Sequence, residues 1–328
     1  MNKEKNKIIL VGGCGFLGKE SAKILKKNLY HVVIADLLSQ KKNCPANIPF
    51  LNLDITNSNS IKELQIEKGD VIVNLASRQY HNLVPYFHRN TWFEEVNLIG
   101  AERLMEKSII CGASRYIYFS SDMVYGLPKS IPVKEDNDLN PIAEYGTSKM
   151  KAEKILIGKS KNKISLIIFR ARLINGPGRL GVFKNLFNLI NKSLPIPVIG
   201  KGENCYQMIS VFDCAEAILL SIENQIHNQI FNLGSNKIIK VKDLMRGLIK
   251  FASSKSNLIN VNPLLIKPVL YFMNSVGIPI LYPEQYKIAD KNIILNTDKA
   301  KDLLKWDPKY DDDKMIHASY SYWIENKK

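Results

Sequence analysis

Gly12-Gly13-Cys14-Gly15-Phe16-Leu17-Gly18 follows directly on the apolar run Lys7-Ile8-Ile9-Leu10-Val11, and a second β-rich run, His31-Val32-Val33-Ile34-Ala35, ends in Asp36. A strand that stops in a glycine loop, a helix-like stretch and a second strand ending in a carboxylate form a βαβ unit of the kind that holds a dinucleotide. Gly12 allows the tight turn, Gly15 lets a pyrophosphate reach the backbone, and Gly18 lets the helix pack on the strand. The free N–H groups of the helix N-terminus then face the phosphates. Asp36 is placed to accept hydrogen bonds from both hydroxyls of an adenosine ribose and to repel a 2′-phosphate, which favours NAD over NADP. The spacing is G-x-x-G-x-x-G rather than G-x-G-x-x-G.

Outward from this unit the pattern repeats. Short β-branched runs occur at 7–11, 31–35, 49–53, 70–75, 115–120 and 164–169, with helical patterns near 16–28, 57–67, 92–111 and 143–160. The alternation predicts an α/β fold, a Rossmann-type doubly wound parallel sheet. After about residue 175 the rhythm breaks into prolines at 177, 195 and 197 and short elements around 182–193, 211–224, 230–233, 241–253, 297–304 and 313–326. These predict a smaller C-terminal α/β lobe. The expected division is 1–175 for an NAD-binding domain and 176–328 for a substrate-binding lobe, with some crossing of the chain between them. A ligand cleft is expected at the C-terminal ends of the strands.

Composition narrows the class. With 328 residues, 45% of them hydrophobic, the chain buries a substantial core. With Met1-Asn2-Lys3-Glu4-Lys5 leading into the first strand by Ile8, no signal peptide is expected. The longest apolar stretch, Val261 to Tyr282, is broken by Asn262, Lys267, Asn274 and prolines at 263, 268 and 279, which falls short of a membrane span. It is expected to form core of the C-terminal lobe, or else to cover an apolar substrate. Cysteines 14, 44, 111, 205 and 214 make no C-x-x-C and share no ligand spacing with the histidines. A reducing cytoplasm and no structural metal are expected. The net charge of +15 comes mostly from Lys scattered over helix surfaces and turns, which reads as a solvated basic surface without a nucleic-acid partner. Cys14 sits in the phosphate loop near a helix N-terminus, a setting that lowers thiol pKa; the plain alternative is a small residue that fits the turn.

A second constellation is Tyr145-Gly146-Thr147-Ser148-Lys149, in which i and i+4 share a helix face. The Lys charge is expected to lower the phenol pKa and to hold the cofactor ribose, leaving Tyr145 able to exchange a proton with a carbinol. Tyr125…Lys129 and Tyr310…Lys314 have the same spacing, but Gly126 and Pro128 argue against a helix at the first and a run of aspartates surrounds the second. The fifth strand ends Tyr116-Ile117-Tyr118-Phe119-Ser120-Ser121, and a hydroxyl at its tip reaches the cleft.

Glycine loop, Asp36, strand-tip Ser and helix Tyr/Lys together resemble the extended short-chain dehydrogenase/reductase family, the NAD-dependent epimerases and dehydratases. Leu53-Asp54-Ile55 is similar to the family's adenine-contacting turn, Asn74-Leu75-Ala76-Ser77 to its fourth-strand cofactor motif, and Glu95-Val96-Asn97 with Gly100 to its helix asparagine. Arg170 through Gly176-Pro177-Gly178, Phe231-Asn232-Leu233-Gly234 and Thr297-Asp298-Lys299-Ala300 with Leu304, Trp306 and Pro308 continue the likeness over nearly the whole chain. The resemblance implies Tyr145 as acid/base, Lys149 as ribose anchor and Ser121, rather than Ser120, as the orienting hydroxyl. It implies a cofactor lining of Gly12, Gly15, Phe16, Leu17, Gly18, Asp36, Asp54, Ile55, Leu75 and Ala76. It also implies a homodimer through the helices at 92–111 and 143–160.

Departures bear on the reaction. Family dehydratases carry Asp-Glu after the strand-tip hydroxyl; here Asp122 is followed by Met123, whose thioether transfers no proton. The Arg that grips a substrate diphosphate is missing from Asn204 to Asp213, and no Arg occurs between 180 and 245. Arg172 and Arg179, the lysines at 184, 192 and 201, and Arg78 or Arg89 in the unusual segment 78–89 are the candidate substitutes. That segment reads equally as a sugar-reading cleft edge and as a surface loop, with His81 and His88 as polar loop residues. The leading expectation is an NAD-dependent nucleotide-sugar epimerase. A net dehydrogenase or reductase of a sugar or apolar carbonyl compound, and a non-catalytic NAD-binding protein, are the alternatives.

Overall fold

β1 (Ile8–Val11) is apolar and buried at every position, as a strand covered on both faces of a parallel sheet must be. The computed structural model describes residues 6–80, 84–181, 183–224 and 226–327, so Met1 to Lys5 and His81 lie outside the described residues. The first half runs α1 (Phe16–Lys27), β2 (Val32–Asp36), β3 (Phe50–Asn52), α2 (Ser58–Glu63), β4 (Val71–Asn74), α3 (Arg89–Glu94), α4 (Ala101–Ile110), β5 (Arg115–Ser121), α5 (Glu144–Ser160) and β6 (Ser165–Ala171). The second half adds β7 (Leu173–Asn175), α6 (Phe183–Asn191), β8 (Ile196–Ile199), β9 (Met208–Ser210), α7 (Val211–Glu223), β10 (Gln229–Leu233) and α8 (Val241–Phe251). It closes with β11 (Leu258–Val261), α9 (Pro263–Ser275), α10 (Pro283–Tyr286), α11 (Asp298–Leu304) and α12 (Asp312–Glu325).

Among the described residues, seven strands form one parallel sheet in the order β10-β6-β5-β4-β1-β2-β3. The order reverses between β1 and β4. Loops leaving those two strand ends therefore diverge and open a crevice. Two apolar layers cover the sheet. One joins α1, α7 and α11 through residues such as Leu25, Ile218 and Trp306, and the other joins α2, α4 and α5 through Ile61, Leu104 and Leu156. A third cluster, with Phe187, Leu248, Tyr320 and Trp323, holds α6, α8 and α12 together in the C-terminal part.

Several local expectations shift. The 230–233 run, grouped with the C-terminal elements, pairs with β6 at the sheet edge, and α7 packs on α1, so the chain crosses back into the sheet. The helix expected at 57–67 stops at Glu63. The one expected at 92–111 begins at Arg89 and is interrupted by a π-helical turn, Glu95–Gly100. Its Asn97 is buried within that turn. The side chain donates to Ser148 Oγ at 3.0 Å and accepts from the Arg78 backbone at 2.9 Å, while its carbonyl accepts the Tyr118 hydroxyl at 2.9 Å. The stretch 261–282 forms α9 and an extended tail that is largely exposed rather than core.

Two glycines are required by geometry. Gly12 has φ +76° and a Cβ there would lie 2.7 Å from the Ala76 nitrogen; at Gly18 a Cβ would lie 2.5 Å from Gly13 backbone. Helix α5 is fixed differently. Arg170 on β6 donates to Glu153 on α5 at 2.7 Å, with both side chains buried, and also to the Tyr125 hydroxyl and the Glu135 carbonyl. Ser120 completes the network by donating to Glu153. Replacing Arg170 by Met strands the buried Glu153 carboxylate, so urea denaturation is expected to show a loss of about 3–5 kcal/mol; a loss below about 1 kcal/mol would mean the pair does not hold α5.

Candidate active site

A cleft of about 800 Å³ opens at the crevice, its floor formed by Gly12, Gly15, Phe16, Leu17 and Gly18. Leu75 and Ser77 leave β4 on one side, Ser121 and Asp122 close the tip of β5, and Tyr145 and Lys149 project from α5. The floor fits a dinucleotide. Helix α1 begins at Gly15 without a side-chain cap, so its first N–H groups stay available to an anion. Asp36 stands against the loop. Its Oδ2 accepts the Cys14 N–H at 2.9 Å and its Oδ1 the Leu37 N–H at 2.8 Å, while burial raises its pKa. Asp54, Ile55 and Ala76 lie off the cleft walls: Asp54 accepts from Thr56, Ile55 packs under Gly100, and Ala76 backs Gly12.

Ser121 and Ser77 stand near the Tyr145 phenol, and Ser121 Oγ itself accepts the Met123 N–H at 3.2 Å. Burial pushes the phenol pKa up to about 12, with Glu284 adding to the rise and Ser121, Arg179 and Ser77 opposing it. The expected lowering by Lys149 is not realised. That ammonium donates to the Phe119 carbonyl at 2.7 Å and lies 4.6 Å from the Tyr118 ring centre, and burial drives its own pKa down to about 7. Ser120 is engaged by Glu153, which leaves Ser121 as the strand-tip hydroxyl beside the phenol. Cys14 follows the plain alternative of a small buried turn residue: burial, with Asp36 and Cys44 adjacent, pushes its thiol up to about 12 despite the helix N-terminus.

The arginines divide sharply. Arg78 is held on Glu95 and the Trp92 carbonyl, away from the cleft walls. Arg172 is buried in an ion pair with Asp122 and donates to the Gln207 carbonyl at 3.0 Å. Arg179 reaches the cleft with a neutral partner, donating to Gln79 Oε1 at 2.7 Å. The segment 78–89 is split as well: Gln79 and Tyr80 line the cleft, whereas Tyr86, Phe87, His88 and Arg89 line a separate shallow cavity beside α9.

Three residues escaped the sequence reading of the site. Tyr80 stacks on Tyr282 with ring centres 4.3 Å apart and meets Tyr145 edge-on at 5.9 Å. Glu284, on α10, is fully buried, and its Oε1 accepts the Gly146 N–H at 2.8 Å and the Ala143 N–H at 3.2 Å. It thereby caps α5, whose own N-cap, Ala143, has no side-chain acceptor. Its Oε2 and the nearby Tyr80 hydroxyl are both buried without a hydrogen-bond partner. The Pro-Glu-Gln sequence carries no sign of this role, because the capped helix begins some 140 residues earlier in the chain.

The model of the NAD dependent epimerase/dehydratase family matches residues 8–234, and the chain belongs to that family. It is similar to the uncharacterized protein y4nG of Sinorhizobium fredii, 27% identical over 97% of this chain and 79% of that one. It is also similar to the UDP-glucose 4-epimerase of Vibrio cholerae, 27% identical over 74% of each chain. The solved UDP-glucuronic acid 4-epimerase of Bacillus cereus in complex with NAD shares the fold, with a TM-score of 0.78, 21% identity and coverage of 98% and 100% of the two chains.

Burial raises the Glu284 carboxyl from 4.5 to about 7. An acid with a raised folded-state pKa contributes stability that is full below pH 4.5 and lost as pH rises to about 7. Glu284→Gln keeps the accepting oxygen and removes the charge. Its unfolding free energy, from urea denaturation across pH, is expected to match wild type at the acid end and to exceed it above neutrality, the difference approaching about 3 kcal/mol; parallel curves for the two proteins would contradict the raised pKa. Asp36→Ala is expected to weaken NAD binding about 10- to 100-fold and to narrow the preference over NADP, measured by calorimetric titration.

Proposed function

We propose that the protein is an NAD-dependent epimerase of a nucleotide-activated sugar, with Ser121, Tyr145 and Lys149 as its working groups. The observation that carries the reading is the Tyr145 phenol beside the Ser121 hydroxyl, in one cleft with the glycine loop and with Arg179. Burial favours the neutral phenol, so Tyr145 works once ionised: the phenolate takes the proton of a sugar hydroxyl as the carbon is oxidised and returns it when the resulting keto sugar is reduced from its other face. Ser121 donates to the reacting oxygen and holds it in register. NAD held in this cleft would supply the hydride acceptor and donor. Lys149 and the loop N–H groups orient it, and Arg179 supplies cationic charge to a diphosphate where the usual Arg is missing. Asp122 is engaged by Arg172 and Met123 carries no transferable proton, which disfavours elimination of water.

A second reading, a net reductase or dehydrogenase, is favoured by the apolar end of the cleft, where Ile280, Leu281, Tyr282 and Tyr80 gather. The homodimer implied by the family resemblance would pair α4 and α5, along whose outer surface Ile110 and Ile157 are exposed. Tyr145→Phe tests either enzyme reading. On a panel of UDP- and dTDP-sugars, turnover is expected to fall about 10²- to 10⁴-fold while bound nucleotide is retained. Full turnover in the variant would rule out Tyr145 as the proton-transfer group.

A further inference from the structure

Helix α9 turns its apolar residues outward. Leu265, Val269, Phe272 and Val276 follow the i, i+4, i+7, i+11 spacing of one helix stripe and are 70%, 51%, 64% and 49% exposed. Leu264 and Tyr271 flank the stripe at 83% and 62%, whereas Leu270 faces inward and is buried. The chain extends this surface through the exposed Ile278 and Ile280. Tyr86, bonded to the Ser275 carbonyl, brings the exposed Phe87 alongside. A soluble surface seldom leaves so continuous an apolar area open, and such areas mark a docking site.

The charge around the patch is net positive. Lys267 donates to Asp290 at 2.6 Å and to the Lys287 carbonyl at 3.1 Å, and Lys291 reaches the other oxygen of Asp290 at 3.6 Å. Asp290 is thus shared by two lysines, and exposed Lys287 stands beside them. Gly200 packs against Asp290 and Pro263, which sets exposed Lys201 at the start of the helix. At the other end Arg89 donates to Asn274 at 2.8 Å. The chain as a whole carries +15.

We propose that α9 is an interfacial anchor that docks this protein on an anionic lipid bilayer, its apolar stripe entering the acyl boundary and its lysines meeting the headgroups. A helix of 13 residues is about 20 Å long, too short to span a bilayer but suited to lie in its plane. A second copy of the chain fits poorly. In a two-fold pairing the patch meets itself, so the cationic groups at its edge would confront their own images. An anionic surface matches both the apolar stripe and the rim. Ile280, Leu281 and Tyr282 continue from α9 into the cleft wall, so docking sets the cleft rim at the bilayer surface.

The test is sedimentation of the full chain with vesicles of phosphatidylcholine alone or mixed with phosphatidylglycerol, at low and high sodium chloride. Wild type is expected to pellet with the phosphatidylglycerol vesicles and to be weakened, but not released, by salt. The Leu265→Glu/Phe272→Glu variant changes exposed positions only and is expected to bind at least about tenfold more weakly, with unaltered bound nucleotide and circular dichroism. Wild type that stays in the supernatant with both vesicles would overturn the proposal. So would equal pelleting of wild type and variant, which assigns binding to scattered lysines. A wild-type oligomer that the variant dissociates in light scattering would assign the patch to a second copy instead.

Discussion

The buried ion pair between Arg170 and Glu153 sets the place of everything chemical in this protein. Tyr145, Lys149 and Glu153 recur every four residues along α5 and so form one stripe of that helix. The last of them is fastened to β6 by Arg170 and to β5 by Ser120. A helix anchored at Glu153 must present Lys149 under the Phe119 carbonyl and Tyr145 beside Ser121, because one rigid rod carries all three. Buried pairs of this kind add little net stability against an apolar alternative. Their value here is positional.

The opposite end of the same helix is governed from a distant part of the chain. Glu284 satisfies the N–H groups on either side of Tyr145 and brings a negative charge near the phenol. Asn97 fastens the middle, joining the exit of β4 to Ser148. The C-terminal part thus contributes directly to the surroundings of Tyr145, through Glu284 in the cap and Tyr282 in the aromatic stack with Tyr80. Phenol and ammonium are both displaced toward their neutral forms by burial.

The parallel sheet was readable in the sequence because its signals are local: apolar strands, glycines at turn positions, a carboxylate at the end of β2. Motif spacing also located Ser121, Tyr145 and Lys149, which stand within a few residues of a strand tip or helix start. Contacts between remote segments were not legible. Nothing in Pro283-Glu284-Gln285 announces a cap for Gly146, and nothing near Arg172 indicates that Asp122 absorbs its charge. The three- and four-residue strands β7, β8, β9 and β11 are too short to show alternation. The apolar stretch at 261–282 was misread as core because hydrophobicity alone does not say which side of a helix faces out.

An epimerase that returns the hydride to the substrate it came from has no need to release its cofactor, so the cleft is expected to keep NAD bound. The measurement that tests it most directly is to denature the purified protein and quantify the nucleotide released per chain. Near-stoichiometric NAD is the predicted result. A protein that releases no nucleotide, or releases NADP, would contradict the account.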